Sequence, residues 1–104
     1  MSPDLPLPDQ DASRLALWFA GFADVTRLQI LAELSQGDEE LSCWDFACRF
    51  VRTTSDINHH LRRLCESGLV VSRREGRRRM YRLAGPWVPA ILNVSRGLLP
   101  SPTR

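Results

Sequence analysis

Residues 53–83 constrain the fold of this chain more than any other segment. Apolar residues recur at helical spacing through the first half of this segment, and Gly68 follows them as a helix stop. Hydroxyl side chains at positions 53–55 offer N-caps ahead of them. The spacing predicts a one-sided helix whose other face is polar. The apolar stripe consists of Ile57, Leu61 and Leu64.

The second half of the segment has the pattern of a β-hairpin. Residues 69–71 and 80–83 are strand-like, and they are joined across Glu75-Gly76, a weaker relative of the Asp-Gly turn signal. Six of the fourteen arginines lie within the ten residues 73–82. The segment as a whole therefore predicts a polar-faced helix followed by a strongly cationic hairpin.

Two helices are predicted ahead of this segment. Asp24 is a candidate N-cap for one of them, and Gly37 follows its last apolar residue. Ser42 and Asp45 have the spacing of a capping box, which predicts a short second helix through about Phe50. The apolar stripe of the earlier helix is Leu28, Leu31 and Leu34.

One further helix is predicted at each end of the chain. The first runs from Ser13, and the last begins near Trp87 because the prolines at 86 and 89 fit only a cap and a first turn. We expect residues 1–10 to be a flexible arm and residues 100–104 a frayed end, which leaves residues 11–99 as one folded domain. The apolar stripes are Leu15, Trp18, Phe19 and Phe22 in the first helix and Trp87, Ile91, Val94 and Leu98 in the last.

These elements predict a mainly α fold with a β-hairpin wing. The order α-α-α-α-β-β-α is that of a winged helix-turn-helix with an additional helix at each end. A small helical core and a hairpin cannot cover the apolar stripes of both outer helices, which would leave a sizeable apolar patch in water. We therefore expect a symmetric homodimer that buries the stripes of the first and last helices.

Charge is divided unevenly between the two halves of the chain. Residues 1–52 hold nine acids against four arginines, a balance of −5, whereas residues 53–104 hold ten arginines against three acids, a balance of +7. A basic half attracts a polyanion, and a polar helix beside a cationic wing suits the grooves of double-stranded DNA. The candidate DNA-contacting residues are Thr54, Ser55, Asn58, His59, Arg62 and Arg63 on the helix and Arg73, Arg74, Arg77, Arg78 and Arg79 on the hairpin.

The three cysteines allow two interpretations. Cys43, Cys48 and Cys65 are either small buried hydrophobes or thiols that respond to trivalent arsenic, antimony or an oxidant. Under the second interpretation, nearby arginines lower a thiol pKa, and Cys48 beside Arg49 is the leading candidate. Cys43 and Cys48 point about 140° apart on one helix, so they cannot share an ion within it.

Metal, cofactor and enzyme chemistry have little support in the sequence. His59 and His60 point about 100° apart on a helix and do not form a chelating i, i+4 pair; we expect His60 to pack near the turn and His59 to face outward. No Ser-His-Asp spacing, glycine-rich phosphate loop or HExxH occurs. We predict no metal site, no cofactor and no enzymatic activity. Without an apolar leader or an apolar run of about 20 residues, the chain is expected to be soluble and cytoplasmic.

Three stretches of the sequence resemble the ArsR/SmtB family of winged-helix repressors. They are FADVTRLQILAEL at 22–34, DINHHLRRLCESGLV at 56–70 and SRREGRRRMYRL at 72–83. The resemblance spans roughly residues 13–99 and keeps order and spacing. It implies a homodimer that represses by binding an operator and leaves the operator when an inducer binds.

The inducer sites familiar in that family are not matched here. Where one family site has the two cysteines of a CxC motif, this chain has Ser42 and Trp44, with Cys43 between them. Residues 86–99 contain none of the Asp, His and Glu residues that another site places on the last helix. The resemblance therefore names no inducer. Two alternative functions are a winged-helix module that binds a protein partner without DNA and a small thiol-redox protein.

Overall fold

Five helices and three strands make up the described part of the chain, residues 6–37 and 40–100, in a computed structural model. The predicted five helices and hairpin are present in the predicted order, and one short strand, β1, is an addition that the sequence pattern did not indicate. The elements are α1 (Asp9–Phe22), α2 (Val25–Leu34), β1 (Leu41–Ser42), α3 (Cys43–Phe50), α4 (Thr54–Glu66), β2 (Val70–Glu75), β3 (Arg78–Leu83) and α5 (Trp87–Gly97).

Helix α1 begins earlier than the sequence pattern predicted, at Asp9 rather than Ser13. Pro8 precedes it with a φ of −57°, and two aspartates place negative charge in its first turn, where the helix dipole favours anions. The first residues of α1 therefore belong to the helix and not to the predicted arm of residues 1–10. Outside the described residues lie positions 1–5 of that arm and positions 101–104 of the predicted frayed end.

The predicted N-caps are present at three helices. Asp24 accepts a hydrogen bond from the backbone N–H of Arg27 at 3.0 Å. At α3, the Ser42 N–H donates to the Asp45 carboxylate at 2.8 Å and the Asp45 N–H donates to the Ser42 hydroxyl at 3.2 Å, which completes the capping box. At α4, the Thr53 side chain accepts a hydrogen bond from the backbone N–H of Asp56. Each cap satisfies an N–H group that the helix cannot satisfy itself, so the helices start where these residues stand.

The core lies between α2, α3, α4 and the sheet. Helix α4 buries its predicted stripe completely, whereas the predicted stripe of α2 is wrong at Leu28, which is exposed. Ile30 takes a core position instead, because it shares the inward side of α2 with Leu31 and Leu34. In α5 the fully buried residue is Val88, which the sequence pattern did not single out. The largest fully buried side chains are Phe46, Ile30, Leu31, Ile57, Leu61, Leu64, Leu69, Val70 and Val88.

The sheet connects the start of α3 to the hairpin. Its strand order is β1-β3-β2, with both pairs antiparallel. Tyr81 of β3 lies opposite Leu41 of β1 on one side and Ser72 of β2 on the other. Between α3 and α4, Val51 adopts a left-handed backbone with a φ of 54°, which costs a β-branched residue about 1–2 kcal/mol. This tight turn lets α4 follow α3 directly, as a helix-turn-helix requires.

Candidate nucleic-acid interface

Helix α4 presents a polar face to solvent. Ile57, Leu61 and Leu64 hold the helix against the core with no exposed surface. Because these apolar residues repeat at helical spacing, the opposite side of the helix faces solvent. The six side chains predicted to contact DNA from this helix are all exposed: Thr54, Ser55, Asn58, His59, Arg62 and Arg63.

The hairpin carries its arginines mainly on the strands. The predicted tip of three arginines is too long, since only Gly76 and Arg77 lie between β2 and β3. Gly76 has a φ of 62°, a conformation that suits glycine. Arg79 belongs to β3 and donates a hydrogen bond from Nη1 to the Ser72 hydroxyl across the sheet at 3.0 Å. This bond orients Arg79 along the wing.

Arg73 differs from the other wing arginines because it is already paired. Its Nε donates to both carboxylate oxygens of Glu40 at 2.8 Å, and its Nη2 donates to Glu75 at 3.1 Å. The hydrogen bonds from Arg73 hold the pKa of Glu40 below its usual value. The pair fastens β2 to the residue that precedes β1, so Arg73 is less available to a phosphate than the sequence suggested.

The polar face of α4 and the wing are neighbours. A cavity of about 310 Å³ opens between them. Within the described residues, Arg62, Arg74, Arg77 and Arg78 make no hydrogen bond or ion pair through their side chains. These guanidinium groups can hold an external anion, although Arg78 also lies near enough to Asp45 to help lower the pKa of that carboxyl. The cavity is lined by Ser42, Cys43, Trp44, Asn58, Arg77, Arg78, Arg79 and Tyr81.

Trp44 is a candidate contact residue that the sequence pattern did not identify. It is the second residue of α3, its ring is mostly exposed, and it lines the same cavity as Asn58 and the wing arginines. An exposed tryptophan beside a cationic surface can stack on a sugar or a base. The only signal in the sequence was an aromatic residue two positions after the capping residue Ser42, which is too weak to interpret alone.

The cysteines do not form a common site. Cys48 is exposed on α3, whereas Cys43 and Cys65 are partly buried. The predicted lowering of thiol pKa values is wrong for the latter two, since burial raises the pKa of both, and Arg79 only partly opposes this rise at Cys65. The Cys43 thiol donates to the carbonyl oxygen of Thr54 at 3.2 Å and so contacts the first turn of α4.

The two histidines lie as the helical geometry predicted. His59 is exposed, whereas the side chain of His60 is only 12% exposed and faces α2. The rings lie 5.6 Å apart and at 63° to each other. Across residues 6–37 and 40–100, no group of three or more His, Cys, Asp or Glu side chains is arranged to hold a metal ion.

The outer helices expose apolar side chains. Phe19 of α1 is 58% exposed, Val94 of α5 is 67% exposed, and Leu98, which caps the end of α5, is 81% exposed. Trp18 and Trp87 stack within the chain, with ring centroids 4.3 Å apart. The remaining residues of the predicted interface are partly buried: Leu15, Phe22 and Ile91.

No single helix in the described ranges is long and apolar enough to cross a membrane. Helices α1 and α2 pass that test only as a pair, which is bent by 94°.

Known proteins share this sequence pattern. A profile of the family described as "Bacterial regulatory protein, arsR family" matches residues 24–72. The chain is 35% identical over 91 residues to the HTH-type transcriptional regulator NmtR of Mycobacterium tuberculosis, an alignment that covers 88% of this chain and 74% of that protein. It is 36% identical over 81 residues to the HTH-type transcriptional regulator KmtR of the same organism, and this alignment covers 78% of the chain but only 60% of that protein.

The fold is also shared by solved structures. It is similar to the homodimeric winged helix-turn-helix DNA-binding domain Mb0332 of Mycobacterium bovis, with a TM-score of 0.79, 28% identity and coverage of 94% of this chain and 89% of that chain. The fold and the arginine-rich wing define a winged helix-turn-helix protein. Together with the sequence relatives, they show that the chain belongs to the ArsR/SmtB family of bacterial transcriptional regulators.

Proposed function

We propose that this chain is a homodimeric transcriptional repressor that binds operator DNA and is released from it by an inducer. One observation carries the proposal: the polar face of α4 and the free arginines of the wing border one cavity. A recognition helix and its backbone-binding wing must adjoin in this way to engage a groove and the phosphates that flank it.

The contacts divide by chemistry. Asn58 lies on the outward face of α4, and its amide can donate to and accept from an adenine edge in the major groove. Arg77 and Arg78 carry free guanidinium groups suited to phosphate oxygens or to the minor groove. The Asn58 contact would supply sequence discrimination, whereas the Arg77 and Arg78 contacts would supply affinity that depends on salt.

The dimer is part of the same proposal. The exposed apolar residues of α1 and α5 face away from the core, and a two-fold interface would cover the same patch on both copies. Two α4 helices would then lie about one turn of DNA apart, which matches a palindromic operator. The M. bovis domain of similar fold is homodimeric, which supports this arrangement.

Fluorescence anisotropy with the protein's own promoter DNA tests the proposal. We expect binding that is tighter than to a scrambled duplex and that weakens steeply with salt, because counterions are released from the phosphates. A chain that binds neither duplex at low salt would instead be a module for a protein partner. A cytoplasmic location follows from a DNA target.

The inducer can be sought on the assembled complex. Titration with a panel of divalent metals, arsenite and oxidants should release the DNA for one class of reagent. If that class is thiol-directed, Cys48→Ser should abolish release, because Cys48 is the exposed thiol. Release that persists in Cys48→Ser would exclude this cysteine as the sensor.

A further inference from the structure

Arg27 connects three helices through one guanidinium group. Its Nε donates to the carbonyl oxygen of Gly21 at 3.0 Å, and its Nη2 donates to that of Ala20 at 3.2 Å. Its Nη1 lies 3.5 Å from Nδ1 of His60. An arginine of α2 thereby binds two backbone carbonyls in the last turn of α1 and contacts the recognition helix α4.

His60 completes the link from the side of α4. Its Nδ1 lies 3.6 Å from the carboxylate of Asp24, the N-cap of α2, and its Nε2 lies 3.6 Å from that of Asp56 in the first turn of α4. Asp56 is held in turn by Arg52 at 2.8 Å. The side chain of His60 is only 12% exposed, whereas those of Asp24 and Asp56 are 34% and 38% exposed, so the imidazole lies between the two carboxylates at the inner side of these contacts.

A second contact joins α1 to the other end of α4. Gly21 is buried, and a Cβ added there would lie 2.4 Å from the Ser67 hydroxyl oxygen and 2.7 Å from a methyl carbon of Leu69. Ser67 is the C-cap of α4 and is itself buried. The end of α1 therefore rests directly on the end of the recognition helix, with no space for a side chain between them.

We propose that Arg27 and His60 are positioning residues that lock α4 to the end of α1, so that the dimerisation helix and the recognition helix move as one body. This inference rests on the proposed function. If α1 belongs to the dimer interface, the lock transmits the dimer geometry to both recognition helices. The spacing of half-sites that the dimer accepts is then set by the Arg27–His60 contacts, and not by the residues that touch DNA.

The spacing preference of the dimer is the measurable consequence. One additional base pair between half-sites displaces one of them by about 3.4 Å and rotates it by about 35°. A rigid dimer must deform the DNA to follow, so wild-type protein should lose about tenfold or more in affinity. A dimer with loosened α4 helices should accept both spacings.

The experiment compares Arg27→Gln and His60→Gln with wild type on duplexes whose half-site spacing varies by single base pairs. For each variant, the affinities for the best spacing and for the next spacing should differ by no more than about threefold. Dimerisation and the preference for the correct half-site sequence should be retained. Arg27→Lys, which keeps the charge but cannot reach both carbonyls and the imidazole, should lie between wild type and Arg27→Gln. Arg14→Gln, which removes an exposed arginine of α1, is the matched control and should keep the wild-type spacing preference.

Variants that bind DNA with an undiminished spacing preference would overturn the inference. So would an equal loss of preference in Arg14→Gln. If Arg27→Gln does not fold, as judged by circular dichroism, the inference is tested on His60→Gln, by its ratio of affinities for the two half-site spacings. Failure of the proposed function looks different, because the wild-type protein would then bind none of the duplexes.

Discussion

The two outward faces of this molecule both lie on helices that bury an apolar stripe in the core, but one face is polar and cationic whereas the other is apolar. Helix α4 buries Ile57, Leu61 and Leu64 completely and turns amides, hydroxyls and arginines to solvent. Helix α5 buries Val88 completely, but Val94 and the C-cap residue Leu98 are exposed to solvent. An amphipathic helix needs one apolar stripe for its own core, so a second apolar stripe requires another partner.

This difference suits the two faces to the two kinds of partner that we propose. The α4 face and the wing hold unpaired guanidinium groups, which are stable in water and gain most from a polyanion. The α1 and α5 face holds exposed leucine, valine and phenylalanine side chains, which gain most from a second apolar surface. Substitutions on one face should therefore leave the function of the other face unchanged.

Leu98→Asp should have the largest effect, on the dimer. Burial of a leucine contributes about 1.5–3 kcal/mol, and a two-fold interface buries it twice, so the dimer should weaken about a hundredfold or more. Asn93→Asp adds the same charge at an exposed polar position of α5 and should change little. Sedimentation velocity measures both variants; an unchanged dimer in Leu98→Asp would remove α5 from the interface.

Arg77→Ala combined with Arg78→Ala should have the next largest effect, on DNA affinity at low salt. Each phosphate contact contributes about 0.9 to the slope of log K against log salt concentration, so two lost contacts in each wing should flatten the slope by up to about 3.6. Affinity should fall for all sequences alike. The pair Arg14→Ala and Arg96→Ala removes equal charge from α1 and α5, and an equal loss of slope there would show that the wing has no special role.

Asn58→Ala should have a smaller and more selective effect. Loss of a bidentate contact to a base costs about 1–3 kcal/mol of discrimination, so the preference for operator over mismatched DNA should fall about tenfold or more. The salt slope should stay at its wild-type value, because no phosphate contact is lost. Competition binding with single-base operator variants measures this, and undiminished discrimination would remove Asn58 from base recognition.

The thiols should show the smallest effect, a difference in labelling rate. Cys48 is exposed and should react first with iodoacetamide, whereas burial raises the pKa of the Cys43 and Cys65 thiols and so lowers the fraction of reactive thiolate at a given pH. Labelling of these two should therefore accelerate only at alkaline pH. Mass spectrometry of the labelled peptides resolves the order, and Cys48→Ser should remove the fast phase.

Much of the fold could be predicted because local signals agreed with one another. The caps at Asp24, Ser42 and Thr53 and the stripe of α4 are properties of short segments, and tertiary packing left them unchanged. Strand β1 could not be predicted, since two residues carry no periodicity. It pairs with β3, a strand that is distant in the sequence and that the fold brings beside it.

The candidate site was predictable in composition and less so in detail. The sequence located the cationic segment, but it could not show that Arg73 pairs with Glu40, which lies 33 residues earlier. It also suggested that arginines would lower the thiol pKa values, whereas burial dominates at Cys43 and Cys65. Both differences arise from residues that are distant along the chain and adjacent in space.

The sequence by itself determined the helices, the cationic wing and the separation of a polar face from an apolar stripe in α4. These follow from spacing, since 3.6 residues per turn fix which side chains share a side. Only the tertiary structure decided which arginines are free, which thiols are buried and that Arg27 and His60 join α1 to α4. Those properties depend on distances between segments, and no local pattern encodes such distances.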